Sequence, residues 1–278
     1  MSTRSGSPGS TKISRRRVLA LGGGLAGGAL VAGAPSASAA TDWIRLPVVT
    51  ANIGRKNPGA REDAIHDVRF GDSGNRPLVG WQEIREGDND NLECAYIEKY
   101  FGDAYANPHL LHETAYRVPL SVPAPWKIVE RGNTFVHGGI SGITPPRWIN
   151  EVVVEHADHP GLEFALINTH YIAGAYNGDG NPNLRDEWDL HKQKHKDRVL
   201  AHHQAGRLVI WTADTNNPNY VKATGWDAER QVFTGGIDRI NWMPGDGRVQ
   251  LDLLGTHSVD MRVDGHDARV AVFRIRLA

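Results

Sequence analysis

The sequence predicts an α/β fold of alternating strands and helices, and three observations carry that prediction. Short continuous apolar runs recur along the chain, among them VVTANIG (48–54), LVGWQEI (78–84), FALINTHY (164–171) and LVIWTADTNN (208–217), the pattern of strands buried on both faces. Helical periodicity separates them, most clearly over 185–204. Each run also ends on polar side chains able to hold a metal ion or a phosphate, and open α/β architectures bind ligands at strand ends.

Taken in order, residues 61–68 read as a helix with Ala64, Ile65 and Val68 inward. Residues 92–101 read as a second, with Ala95, Ile97 and Tyr100 among its apolar positions and Gly102 as its stop. Strands are expected at 126–130, 134–136, 151–155 and 163–168. The longest helix, 185–204, ends before Gly206 and leads to a strand at 208–213. GIDRI (236–240) and DGHDARVAVFRI (264–275) add two further strand-like runs. The segments 119–125, 143–146 and 174–183 are rich in Pro, Gly or Asn and are expected to be irregular. Residues 171–183 follow His170 directly, so this loop is the expected specificity element.

The first forty residues are read apart from the rest. Arg15-Arg16-Arg17 precedes a glycine-rich apolar stretch over 20–34, and Ala37-Ser38-Ala39 supplies a small-residue cleavage pattern. Residues 1–40 are therefore expected to be a twin-arginine-type signal peptide, and 41–278 the exported domain. The apolar stretch is too short and too rich in glycine to span a bilayer well. The signal implies a secreted protein; no later segment approaches a span, so the mature form is expected to be soluble, and a monomer is expected.

Removing the signal changes the charge balance. The chain has 31 basic and 32 acidic residues; Arg4, Lys12, Arg15, Arg16 and Arg17 lie in the signal, which holds no acid, leaving 26 against 32, a net charge of −6. A tight non-specific nucleic-acid binder ordinarily has the opposite sign. A nuclease remains open, because a bound divalent cation adds local positive charge. About 240 residues are left, enough for one large domain. Cys94 is the single cysteine and cannot form an internal disulfide; within NLECAYIEKYF it reads as a buried structural thiol.

Hydrolysis of a phosphate ester requires a cation on the non-bridging oxygens, a base for water, and donors for the developing charge. Glu83 and Asn52 offer the hard oxygen ligands that Mg²⁺ (or Mn²⁺) prefers. Asp238 and His266 can form a carboxylate–imidazole pair that takes a proton from water. His170 and Asn216 can donate to phosphate oxygens, and Asp214 can orient the nucleophile or help protonate the leaving group. Each has a plainer alternative: a solvated strand end for Glu83, an Asx turn for Asp214-Thr215-Asn216, a turn opening for Asp238, a surface position for His266. Their order, each at the end of an apolar run or just after a glycine, favours one shared site.

The ordered set resembles the endonuclease/exonuclease/phosphatase superfamily over nearly the whole mature chain, roughly 47–277. Gln82-Glu83 matches its QE dipeptide and Asn168-Thr169-His170 its NTH motif, while its GDFN motif appears as Ala213-Asp214-Thr215-Asn216, with Ala for Gly and Thr for Phe but the Asp and Asn in place. Asp238-Arg239-Ile240 and Asp264-Gly265-His266 match its two last motifs, and Gly132-Asn133-Thr134 a segment opening a central strand. The resemblance implies a four-layer sandwich of two packed, mostly antiparallel β-sheets flanked by helices. It also implies a metal-binding Glu83 beside Asn52, a phosphate-contacting or acid His170, and a phosphate-ester substrate, whether nucleic acid, phospholipid or a small phosphoester.

Gly265 departs from that pattern, because the family has an Asp immediately before the final histidine. Asp264 or Asp267 could substitute; otherwise the expected alternative is a weakened or inactive phosphate-ester-binding module. The helix histidines offer a competing site. His191 and His195 are spaced i, i+4 as zinc ligands can be, but Lys192, Lys194, Lys196 and Arg198 surround them. A solvated basic helix face, able to meet an anionic surface, is the favoured reading there.

Overall fold

Alternation lets one strand bury apolar side chains in two layers at once, and the four long apolar runs do this in a computed structural model of the chain. The structure describes residues 42–54, 58–71, 76–84, 92–102, 105, 107–110, 117–176, 180–263 and 266–278. The expected signal peptide, 1–40, lies outside them, as do Asp264 and Gly265.

Twelve strands form two sheets among the described residues: β1 Ile44–Asn52, β2 Leu78–Gln82, β3 Asn107–Leu110, β4 Leu120–Val122, β5 Trp126–His137, β6 Arg147–His156, β7 Glu163–His170, β8 Leu208–Asp214, β9 Arg230–Gln231, β10 Asp238–Met243, β11 Val249–Val263 and β12 His266–Leu277. One sheet runs β11-β12-β1-β2-β4-β3 and the other β5-β6-β7-β8-β10-β9. Each contains a single parallel pair, β1 with β2 and β7 with β8, and antiparallel neighbours on both sides. This is the predicted α/β sandwich of two mostly antiparallel sheets. A parallel pair needs a crossover, and helices supply it: α1 (Arg61–Phe70) lies between β1 and β2, and α3 (Arg185–Gln204) between β7 and β8. The second helix, α2, covers Leu92–Phe101.

The central core lies between the sheets, where Leu46 and Val48 of β1 meet Phe164 and Leu166 of β7, Leu208 and Ile210 of β8, and Phe273 of β12. The alternate residues Val49, Ala51 and Ile53 face α1 and α2 with Val79 and Trp81. Val209, Trp211 and Ala213 pack with Val199 of α3 in the same way. Glu62 and Asp63 in the first turn of α1 suit its dipole, and Arg69 closes it. Buried Arg61 pairs with buried Glu93 at 2.9 Å, fastening α1 to α2.

Several boundaries differ from the sequence expectation. The strands expected at 126–130 and 134–136 are one strand, β5, which passes through Gly132; β6 begins at Arg147 rather than at 151. Leu120–Val122 is a short strand inside a segment expected to be irregular. In α2 Ala95 is exposed, and Cys94, Ile97 and Phe101 are buried. Burial pushes the Cys94 thiol up to about 12, as befits a structural cysteine. No helix among the described residues is long and apolar enough to cross a membrane.

The basic helix face is a correction. His191 and His195 are fully buried, not solvated. His191 stacks on Tyr171 with ring centres 3.9 Å apart and its Nε2 is 2.6 Å from Thr169 Oγ1; His195 Nδ1 is 3.0 Å from the Tyr171 hydroxyl. Arg198 pairs with Glu151 at 2.6 Å. Neither helix histidine belongs to a cluster of three metal-ligating side chains among the described residues. The imidazoles pack α3 against the end of β7, which polar-residue counting on a helix cannot distinguish from a solvated face.

Candidate active site

On the faces that meet between the sheets, side chains change from apolar to polar toward one edge. The sequence of inward residues is Leu46, Val48, Thr50, Asn52 in β1; Leu78, Gly80, Gln82 in β2; Phe164, Leu166, Asn168, His170 in β7; and Leu208, Ile210, Thr212, Asp214 in β8. Because both parallel pairs finish at this edge, Asn52, Glu83, His170 and Asp214 converge. The antiparallel neighbours begin there: Asp238 opens β10 opposite Asp214, and His266 opens β12 beside β1.

A buried polar layer lies beneath. Asn168 Oδ1 accepts from Gln82 Nε2 at 2.7 Å and Thr212 Oγ1 at 3.0 Å, and its Nδ2 donates to the carbonyls of Trp81, Val118 and Pro119 at 2.8, 3.1 and 3.1 Å. One side chain thus ties the sheets together under the site. Gly80 makes room for it, since a Cβ there would lie 2.0 Å from Thr212 Oγ1 and 2.7 Å from Asn168 Oδ1.

Asp214 is the hub. Its Oδ2 accepts from Asn52 Nδ2 at 2.8 Å and lies 3.3 Å from His170 Nε2; its Oδ1 accepts the Asn216 amide at 2.8 Å. Burial alone would raise its carboxyl, but His170, His266 and that backbone hydrogen bond hold it at about 2. Asn52 Oδ1 meanwhile accepts from Gly54 N at 2.9 Å in the turn that closes β1, so one end of the Asn52 amide holds that turn and the other reaches Asp214 across the sheets. Glu83 lies 3.9 Å from His170 Nε2. Glu83 and Asn216 adopt left-handed backbone with φ of 60° and 47°, local strain of the kind found at functional sites.

His266 Nδ1 sits 3.0 Å from Asp238 Oδ2. Burial would lower the imidazole, yet the hydrogen bond and charge of Asp238, with Asp214 and Glu83 beyond, push it up to about 9. Burial and the nearby Asp214 carboxylate raise Asp238 to about 6. Ligand atoms of Asp214, Asp238 and His266 all lie within 4.8 Å of one another. Two carboxylates and an imidazole, with Glu83 nearby, form a donor set that suits a divalent cation. Asp267 is exposed and stands outside that group.

All seven residues singled out in the sequence come to one edge, but one neighbour was missed. Arg147, at the start of β6 and buried, directs Nη1 to His170 Nδ1 at 3.0 Å. Its signal was weak: an arginine directly after the irregular Pro145-Pro146, in a strand expected to begin only at 151.

No family model matches the sequence, and no curated protein matches it. Solved structures do match. An endonuclease/exonuclease/phosphatase family protein from Bacteroides thetaiotaomicron is 14% identical, with a TM-score of 0.53 over 84% of this chain and 98% of that one. The chain has the endonuclease/exonuclease/phosphatase fold. A humanized D. rerio TDP2 shares that fold at 15% identity and a TM-score of 0.58, over 82% of this chain and 98% of that one. The inositol polyphosphate 5-phosphatase domain of a synaptojanin, solved with inositol (1,4)-bisphosphate and calcium ion, matches at 11% identity and a TM-score of 0.56, over 85% of this chain and 87% of that one.

Proposed function

We propose that the protein is a secreted, metal-dependent phosphoric ester hydrolase whose water is activated by the His266–Asp238 pair. The observation that carries the reading is the 3.0 Å contact of His266 Nδ1 with Asp238 Oδ2, beside a carboxylate-rich edge formed by six strands. Asp238 accepts from Nδ1–H, which leaves Nε2 facing outward to take a proton from water. His170 binds a phosphate oxygen, Asn216, whose amide hydrogens go to the Tyr171 carbonyl and Asp214, braces the turn beside it, and Asp214, held in its ionised form, fixes both. Glu83, aided by Asn52, Asp214 and Asp238, would hold Mg²⁺ or Mn²⁺. The bound cation would neutralise the phosphate charge and oppose the proton that His266 otherwise retains.

An inactive binding module is not favoured, because the Asp214, Asp238 and His266 donor set comes together without a carboxylate at position 265. A second observation bears on the substrate. Ile140 and Ile143 stand exposed on the turn between β5 and β6, directly before Arg147. Those exposed isoleucines on the turn that leads into Arg147, with the acidic net charge, favour an ester with an apolar substituent over a nucleic-acid backbone. The test is a Mg²⁺- or Mn²⁺-dependent activity panel on the mature protein, covering DNA, RNA, sphingomyelin and inositol phosphates, with His266→Ala beside wild type. The variant should stay folded and lose metal-dependent hydrolysis; wild-type turnover by it would overturn the assignment.

A further inference from the structure

We propose that Arg147 is a positioning residue that fixes which nitrogen of His170 carries the hydrogen. A guanidinium has donors and no acceptor, so its 3.0 Å approach to Nδ1 is a hydrogen bond only if Nδ1 presents its lone pair. The ring hydrogen then sits on Nε2. That side faces Asp214 Oδ2 at 3.3 Å and Glu83 at 3.9 Å, two acceptors for an N–H. Asn216 Nδ2 also lies 3.1 Å from Nε2, but its two hydrogens are taken by the Tyr171 carbonyl at 3.1 Å and Asp214 Oδ2 at 3.2 Å. Both ring nitrogens cannot accept in one imidazole, and the fixed charge of Arg147 decides between them.

The surroundings keep this arrangement rigid. Thr169 and Tyr171, on either side of His170, are gripped by His191, and Thr169 Oγ1 also donates to the Trp148 carbonyl at 2.9 Å, one residue from Arg147. His170 is therefore presented to the site as an N–H donor. The tautomer follows from the contacts alone; only its use, donation to a phosphate oxygen or the leaving oxygen, rests on the phosphoesterase reading above.

The experiment is ¹⁵N NMR of histidine side chains in full-length wild type, Arg147→Met and Arg147→Lys, with His170 assigned by its loss in His170→Gln. Wild type should show one His170 tautomer with hydrogen on Nε2. Arg147→Met should place hydrogen on Nδ1 in a sizeable fraction of molecules, and Arg147→Lys should restore the wild-type pattern in part. On a substrate found active in the panel, kcat of Arg147→Met should fall on the order of 10–100-fold, the usual cost of losing such an outer partner, with KM changed less than about twofold. An unchanged His170 pattern in Arg147→Met overturns the proposal, as does a rise in KM with kcat intact, which would make Arg147 a direct phosphate contact. If Arg147→Met does not fold, the Arg147→Lys pattern and its kcat against KM decide in the same way. A blank activity panel with the expected NMR result would reject the enzymatic reading and leave the tautomer assignment standing.

Discussion

Acid should destabilise this protein through two histidines that the fold keeps from water. His191 and His195 are fully buried, and burial holds His195 at about 4 and His191 well below its ordinary value. In the unfolded chain each titrates near about 6.5. The folded values are depressed, so this stability is fully present above about 6.5 and is lost as pH falls toward 4, because only the unfolded chain takes up the protons. At pH 5 proton binding stabilises the unfolded His195 imidazole by about 2 kcal/mol, while the folded ring at about 4 takes up almost no proton. His195 alone therefore costs roughly 2 kcal/mol, a sizeable share of the ~5–15 kcal/mol typical of a domain, and His191 acts in the same direction.

Whole-protein stability does not isolate this effect, since Asp238 and His266 have raised values and work in the opposite direction over the same range. A difference between two proteins does. Urea denaturation of wild type and His195→Gln at pH 7 and pH 5 should show wild type losing about 2 kcal/mol more than the variant on acidification. Equal losses, within about 0.5 kcal/mol, would refute the burial argument and return α3 to the solvated face expected from its lysines.

Two further changes probe the site's foundation and its base. Gly80→Ala should cost about 2–4 kcal/mol in chemical denaturation, because its Cβ must displace Thr212 and break the Asn168 network between the sheets. A loss below about 1 kcal/mol would show that the layer repacks freely. In metal-free protein, Asp238→Asn should bring the His266 titration, followed by NMR, from about 9 back toward its ordinary range near ~6.5. A His266 that stays at about 9 would mean that Asp214 and Glu83, not Asp238, sustain it.

Much of this was legible in the sequence for a specific physical reason. A strand buried on both faces must read as an unbroken apolar run, so Asn52, His170 and Asp214 stand out where the run breaks into polarity. β11 was not legible. Over Val249–Val263 it lies at a sheet edge, largely exposed and interrupted by register shifts, and carries neither a continuous run nor clean alternation. Arg147 escaped for a related reason, since its role depends on a partner 23 positions away, brought near only by pairing of β6 with β7. His191 and His195 were misread because burial of an imidazole is decided by what covers it, here Tyr171 and Trp211, not by the lysines next to it in sequence.

Topology also explains why the departure at Gly265 need not empty the site. In a parallel pair both carboxyl ends share an edge, and an antiparallel neighbour must begin at that same edge. Applied to both sheets, this brings the ends of β1, β2, β7 and β8 to the starts of β10 and β12, so six strands contribute and no single loop supplies the whole donor set. Asp214 and Asp238 face each other across the β8–β10 ladder, fixed by backbone pairing rather than by the segment 264–265. His266 then needs only to open β12 for its ring to reach Asp238. Substitution at the preceding residue changes how many carboxylates surround a cation; it does not remove the pair that would activate water.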